Sequence, residues 1–557
     1  MTNDSALQVS AAAFTFQELT PTAFLDRAAA VHPDHVAVVD GDRSYTYAEF
    51  QDRSMRLAGA LVDLGLGGGA RVALLATNSH VALEAHNGVP WAGAVLVPLN
   101  IRLQAQELAH VLDHAGAQLL IAGAEFADTA AAAAAGVEGL GVVIAGGRNV
   151  GTAGSKDEYE QLLAAATPTA TAVTDERGLL SINYTSGTTG QPKGVMYHHR
   201  GAYLQSLAMA FHNTLTPQSV YLWTLPMFHC SGWCFTWGVT AAAARHLCLR
   251  KIDPPLIWRL LRTEGVTHFA AAPAVLSMLV NDPAAEDGPL EQRVKLMTGG
   301  APPSPALLGR LAELNIDVTH LYGLTETYGP AMICEWHEDW DACSADEQAA
   351  LKARQGVPNV IGEPARVLVE AGAAAGWTDV PADGAALGEI ALRGNNVMLG
   401  YYRDAEATDE VDAEGWFRTG DIGVMHPDGY LELTDRQKDV IISGGENIAS
   451  VEVERALETH PGVVEAAVVA MPDEKWGEIP VAFVTLRQGA EPSQEDLIAH
   501  VRSQLAGFKA PRRVIVSDLP KTSTGKLQKG ELRQRLREDG AAGDSGPRYS
   551  STTVTGR

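Results

Sequence analysis

The strongest constraint on this chain is a recurring alternation. Short apolar runs bounded by turn residues are followed, again and again, by segments with helical patterning. RVALLATNS, AVLVPLN, LLIAGA, GVVIAG, SINYTS, HLCLR, THFAAAP and VKLMTGG succeed one another in this way. Each run is too short for a helix and reads as a buried strand. A strand can pair in parallel with its successor only through a crossover, which a helix supplies. The pattern therefore predicts an α/β protein with parallel-rich sheets flanked by helices. Ahead of it, AFLDRAAAVHPD predicts a helix ending at Pro33. AVVDGDRSYTYAEF predicts a strand pair about a Gly-Asp turn, leading into a helix through QDRSMRLAGALVDLGLG.

At 557 residues the chain exceeds what one hydrophobic core can organise. From about residue 385 the character changes: LGEIALRGNNVMLGYYRD, GWFRTGD and GYLELTDRQKDVIISGG are strand-rich and glycine-punctuated, as in a small β-subdomain. After Arg436 a compact α+β pattern follows: a helix through SVEVERALETH, strands at EAAVVAMP and VAFVTLR, and a helix at QEDLIAHVRSQL. The expected organisation is a large N-terminal domain over 1–434 and a small mobile α+β domain over 435–540. The polar, aperiodic residues 541–557 are expected to form a disordered tail. TAAAAAAGVEGLG reads as a surface helix and loop, and no internal repeat is present.

Charge narrows the partners. Forty-two Lys and Arg face 67 Asp and Glu, a formal net charge of -25, which disfavours nucleic acid and anionic membrane surfaces. A local anion site inside an acidic protein is still allowed. No run approaches the roughly 20 apolar residues of a membrane span, and MTNDSALQVSAAAF lacks the basic start and apolar core of a secretory signal. A cytoplasmic location is the expectation. The five cysteines form no disulfide framework. His229, Cys230 and Cys234 suggest zinc, but no second ligand pair follows and Trp233, Phe235 and Trp237 point to a packed interior.

The most informative stretch is YTSGTTGQPKG, residues 184–194. A Walker A loop requires G-x-x-x-x-G-K-[ST], with a helix opening at the lysine. Here Lys193 lies between Pro192 and Gly194, and the hydroxyls come early, at Thr185, Ser186, Thr188 and Thr189. Glycines between them let backbone N–H groups approach an anion. A Ser/Thr/Gly surface loop has the same composition; the order of the residues is the specific part.

That order resembles the signature loop of the acyl-adenylate-forming superfamily, which holds acyl-CoA synthetases, luciferases and peptide-synthetase adenylation domains. PMFHCSGW, TGGAPPSP, YGLTET, GWFRTGD, DRQKDVIISGGENI and PKTSTGK follow in the family's order, so the resemblance covers nearly the whole chain. It implies that Thr185, Ser186, Gly187, Thr188, Thr189 and Lys193 grip the pyrophosphate end of ATP. It places Gly299, Gly300, Ala301 and Pro302 at the adenine and acyl pocket, with Tyr322 among the nucleotide contacts. Thr325 would meet the α-phosphate, and Glu326 would bind Mg2+, a role that suits a hard carboxylate. A helix cap at one of these threonines is the plainer reading of TET. Asp421 would fix the ribose hydroxyls, against a turn-forming role, and the guanidinium of Arg436 would contact ribose or phosphate oxygens.

Two segments would take turns at this site. By the same resemblance Lys526 swings in for adenylation and aligns two mutually repelling anions. SGGENI, with Gly444, Gly445 and Glu446, then rotates in about Asp435 to line the pantetheine path, with Trp476 and Lys509 as weaker CoA contacts. His229 would gate the acyl carboxylate; it need not act as a base, because a carboxylate is already ionised at neutral pH. The implied reaction is ATP-dependent ligation of a carboxylic acid to CoA, releasing pyrophosphate and then AMP. The acid is expected to be a short- or medium-chain fatty acid or an aromatic one, as in fatty acid metabolism. An acyl carrier protein is the alternative acceptor, luciferase-like oxygen chemistry and a nucleotide-binding protein without catalysis are further readings, and a homodimer is compatible with such a chain. Ser231 stands where many relatives carry Asn, which changes pocket polarity. Trp233 and Trp237 would limit the acyl group if they face inward.

Overall fold

The computed structural model describes residues 17–146, 157–185, 192–299, 303, 305–370, 376–408, 414–436, 439, 441–443, 446–473, 476–521 and 527–541, with backbone only at residues 305, 306, 345, 346, 435, 436, 442, 446, 447 and 539–541. Ser186, Gly187, Thr188, Thr189, Gly300, Ala301, Pro302, Gly444, Gly445 and Lys526 lie outside the described residues, as does the tail beyond Ala541.

The alternation in the sequence resolves into two large sheets. A six-stranded sheet runs Gly141–Ala145, Ala117–Gly123, Arg71–Leu75, Val95–Pro98, Leu179–Thr185, Lys193–His198, and only its last pair is antiparallel. A nine-stranded sheet has a parallel centre of Val36–Asp40, Arg245–Cys248, Val220–Trp223, His268–Ala270, Val294–Thr298 and Ile316–Leu324. Antiparallel strands edge it: Arg43–Thr46 on one side, Gly329–Ile333 and Val357–Pro358 on the other.

Helices fill the space between them. Helix Tyr47–Asp63 starts at Thr46, whose side chain and that of Glu49 form a reciprocal capping box that satisfies two otherwise orphaned N–H groups. It packs on helix His80–Trp91, every residue of which is buried. Contact is close because Gly88 has no side chain: a Cβ there would lie 2.6 Å from the Ser54 carbonyl oxygen. Val72 and Leu74 of one sheet share a core with Val38, Tyr221 and Met297 of the other, so the two sheets are built about one apolar interior.

The β-subdomain begins earlier than residue 385. Strands Arg366–Glu370 and Trp377–Asp379 join Gly388–Leu392, Phe417–Met425 and Leu431–Arg436 in one antiparallel sheet. Acidic and small residues separate the first two strands from the rest, which masked them in the sequence. Further on, helix Ser450–Glu458, the long hairpin Val463–Asp473 and Gly477–Leu486, and helix Gln494–Gln504 appear as expected. Strand Arg513–Val516, parallel to the second arm of that hairpin, and helix Lys529–Ala541 complete this part.

Candidate active site

The site is assembled from hairpin ends. Strand Leu179–Thr185 leads into the Ser/Thr/Gly loop, and the chain returns as an antiparallel strand, Lys193–His198, with Thr185 opposite Lys193. A Walker loop would continue into a helix at this point. The strands on either side of this loop therefore form a hairpin rather than the strand-to-helix junction of a Walker loop. Strand Ile316–Leu324 supplies the second end: Thr325–Thr327 make one 3-10 turn, and strand Gly329–Ile333 runs back antiparallel. The reversal needs Tyr328 and Gly329 at φ +61° and +100°. Leu324, not a threonine, is the N-cap of this turn; Thr327, its third residue, reaches back to accept the Leu324 N–H at 2.9 Å, so the threonine N-cap reading of TET does not hold.

The two ends are joined. The Tyr197 hydroxyl donates to the Thr325 carbonyl at 2.7 Å, and the His198 N–H donates to the Tyr328 hydroxyl at 2.7 Å. The rings of Tyr197 and Tyr328 stack with centroids 3.8 Å apart. Residues 398–402 add an extended crossing. Met398 N–H donates to the Glu326 carbonyl (2.9 Å), Leu399 N–H to Met196 (3.0 Å), and Tyr402 N–H to Gly194 (2.7 Å). Tyr401, on this crossing, donates its hydroxyl to Glu326 Oε1 at 2.8 Å, and Lys193 Nζ lies 4.6 Å above the same ring. Thr185, Lys193, Thr325 and Glu326 thus come together as the sequence proposed, and Tyr401 is a component it did not single out.

Asp421, on strand Phe417–Met425, is buried, and its Oδ2 accepts the Tyr322 hydroxyl at 2.8 Å. Arg436 pairs with Asp421 across the sheet, so the strand order puts both proposed ribose contacts at one level. Tyr322 ties this level to the strand leading to Glu326. Glu446 pairs with Ser443 in a short hairpin of the C-terminal part.

The most unusual backbone in the molecule follows His229. Cys230, Ser231, Gly232, Trp233 and Cys234 all have φ between 50° and 61°. Each non-glycine residue in this left-handed region costs about 1–2 kcal/mol, and such runs persist where surrounding packing over-determines them. Here the run aims Trp233 into a gap between two glycines. A Cβ on Gly329 would sit 2.8 Å from Trp233 Cδ1, and one on Gly299 would sit 3.5 Å from Cη2. Trp233 is half-buried. Trp237 instead is fully buried, donates to the His86 carbonyl at 3.0 Å and packs edge-on to that imidazole, so it belongs to the core. His229 is half-buried and lies against Phe228, one residue before the run. Ser231 is buried with no hydrogen-bond partner for its hydroxyl.

Cys230 Sγ lies 3.5 Å from Thr325 Oγ1, burial pushes its thiol up to about 11, and Cys234 is raised further by burial and by Cys230. No cluster of three or more His, Cys, Asp or Glu able to hold a metal occurs among the described residues. The donor set does fit magnesium, which keeps several waters and needs one or two carboxylates plus substrate phosphates. Glu326 offers one hard carboxylate beside the Thr185–Lys193 hairpin end.

Comparison with known proteins agrees with this geometry. The AMP-binding enzyme family matches residues 25–402, and the AMP-binding enzyme C-terminal domain matches residues 452–526. The acetate–CoA ligase CCL3 of Humulus lupulus is 42% identical over 95% of this chain and 96% of its own. The peroxisomal acetate/butyrate–CoA ligase AAE7 of Arabidopsis thaliana is 43% identical over 94% and 96%. Among solved structures, ATP-bound MatB from Rhodopseudomonas palustris superposes with a TM-score of 0.81, at 27% identity, covering 94% of this chain and all of the other. The chain belongs to the AMP-binding enzyme family, in its acyl-CoA synthetase branch.

Proposed function

We propose that this protein is an ATP-dependent ligase that joins a short-chain carboxylic acid to CoA. The observation that carries this reading is the meeting of the Thr185–Lys193 hairpin end with the Thr325–Thr327 turn, with Asp421 tied to the same strand through Tyr322. Together they offer, in one place, groups for phosphate, metal and ribose.

The chemistry assigned to the residues runs as follows. Thr185 and Lys193 hold the outgoing pyrophosphate, and Asp421 and Tyr322 hold the ribose. Magnesium, when bound, would be held by Glu326 and would offset charge on the phosphates. Thr325 lies beside the α-phosphate, where a carboxylate oxygen attacks phosphorus and pyrophosphate leaves, giving an acyl-AMP. Lys526 aligns the two anions in this step. The CoA thiolate next attacks the acyl carbon and AMP departs with the oxygen that bridged carbon and phosphorus. Gly444, Gly445 and Glu446 serve this second step, after the 435–540 domain rotates against 1–434. Arg436 follows the hinge residue Asp435 and contacts ribose or phosphate oxygens, and Gly299, Gly300, Ala301 and Pro302 border adenine and acyl group.

Trp233 supports the short-chain assignment, because its indole closes the space between Gly299 and Gly329 where a longer chain would extend. The names of the two plant relatives, for acetate and butyrate, point the same way. His229 positions the acyl carboxylate. The described residues contain no helix long and apolar enough to cross a membrane, and a cytoplasmic site of action is part of the proposal, to be tested by fractionation because one relative is peroxisomal.

The experiment is an assay of AMP and pyrophosphate across acids from two to ten carbons and aromatic acids. It is run with CoA, with a holo-carrier protein, and with neither. Thioester formed with CoA on short acids supports the proposal. Thioester formed only on the carrier would replace CoA as acceptor, and a preference for long or aromatic acids would overturn the chain-length assignment.

A further inference from the structure

Tyr401 touches both Lys193 and Glu326, the two charges assigned to Mg-ATP in the ligase reading. Its hydroxyl, at the ring edge, donates to Glu326 Oε1 at 2.8 Å. Its face receives Lys193 Nζ at 4.6 Å from the centroid. An ammonium over an aromatic face is attracted by the ring quadrupole, while a phenol donating to a carboxylate makes a charge-assisted hydrogen bond. One ring therefore satisfies a cation and an anion in two directions. Lys193 forms no ion pair with a carboxylate among the described residues. The ring itself is fixed by its backbone: Tyr401 N–H donates to Thr408 Oγ1 at 3.0 Å, its main chain bridges to Val195 and to Asp404, and the residue is buried.

We propose that Tyr401 is a positioning residue that keeps Lys193 and Glu326 apart and aimed, so that neither is neutralised by the other before Mg-ATP binds. A flexible lysine one hairpin away from a carboxylate would otherwise collapse into a salt bridge. That collapse would close the metal site and withdraw the cation from the phosphates together. With the ring between them, the carboxylate is held at one end of the triphosphate path and the ammonium at another. The hydroxyl acts on the metal side and the ring face on the phosphate side. This inference rests on the ligase reading above, and its two halves are separable by substitution.

The test is equilibrium binding of ATP in the absence of any carboxylic acid, followed by calorimetry across a magnesium titration and in excess chelator. Tyr401→Phe keeps the face and removes the hydroxyl. Its half-saturating magnesium concentration should rise about tenfold, while metal-free ATP affinity and the melting temperature stay at wild-type values. Tyr401→Leu removes both, and should in addition weaken metal-free ATP and tripolyphosphate binding about fivefold to tenfold. A merely structural tyrosine would lower the melting temperature or weaken ATP equally at every magnesium concentration, and either pattern overturns the proposal. So does a magnesium dependence in Tyr401→Phe that matches wild type. Wild-type protein that fails to bind ATP at all would sink the ligase reading itself, an outcome distinct from any variant result.

Discussion

Replacing Trp233 by alanine should lengthen the preferred acid. The indole fills the gap between Gly299 and Gly329, touching the Cβ directions of both, and its removal opens room for a few methylenes. Each methylene newly buried contributes about 0.8 kcal/mol. Two extra methylenes are therefore worth about 1.6 kcal/mol, or roughly a 15-fold gain in kcat/KM for hexanoate relative to butyrate. The gain should appear as a shift of optimum, because acetate and butyrate lose their contact with the indole while longer acids gain one. Steady-state kcat/KM, measured for straight-chain acids of two to eight carbons on both proteins, reads the shift directly. Trp237→Phe is the control: that residue is in the core and donates to His86, so it should lower thermal stability and leave the order of acids unchanged. If Trp233→Ala keeps the wild-type optimum, or Trp237→Phe moves it, the assignment of the acyl wall is wrong.

Other predictions concern the nucleotide, the domains and pH. Tyr322→Phe deprives Asp421 of a hydrogen bond to a charged group, worth about 1.5–3 kcal/mol, so the KM for ATP should rise at least tenfold; the effect should shrink with an ATP analogue lacking ribose hydroxyls. Arg455 Nη1 donates to Glu432 Oε1 at 3.2 Å, linking helix Ser450–Glu458 to strand Leu431–Arg436. Both groups are partly exposed, so about 0.2–1 kcal/mol is at stake, and Arg455→Ala should change the ratio of thioester formation to pyrophosphate exchange by up to about fivefold. Burial holds His86, His199 and His320 down at about 4 and His246 at about 3. In the unfolded chain these titrate near 6.5. Because the folded values are depressed, the unfolded state binds more protons below 6.5, so stability is complete above that pH and is lost as pH falls toward 4. The slope is about 1.4 kcal/mol per pH unit for each histidine, and melting temperatures measured between pH 7.5 and 5 should fall steeply below 6.5; a flat profile would contradict the burial argument.

What was legible in the sequence is what local chemistry writes there. RVALL, AQLLIAG and VKLMT are strands because short apolar runs between turn residues have few other fates, and their order with helices dictated parallel sheets. The nearness of Thr185, Lys193, Thr325 and Glu326, and of Asp421 to Tyr322, was foreshadowed because motif order carried those residues. What lay hidden depends on long-range contact. Tyr401 meets Glu326 across 75 residues, and nothing within YYRD announces that partner. The left-handed run from Cys230 to Cys234 has only Gly232 to suggest it; packing imposes the rest, so it was unreadable that Trp233 lies against Gly299 and Gly329 while Trp237 enters the core. The return strand Lys193–His198 was missed because its alternation is short and its partner lies across the loop. The early start of the β-subdomain was missed because acidic and small residues separate its first strands, Arg366–Glu370 and Trp377–Asp379, from the rest, and the second is exposed and only three residues long.

The central claim, acyl transfer through an adenylate, is tested most directly with a carboxylic acid labelled with 18O in its carboxylate. The bridging oxygen between carbon and phosphorus leaves with AMP when the thiol attacks. The account predicts AMP carrying one labelled oxygen per thioester formed, with unlabelled pyrophosphate, read by mass spectrometry of a single reaction. Thioester formed with unlabelled AMP, or label appearing in orthophosphate, would contradict it.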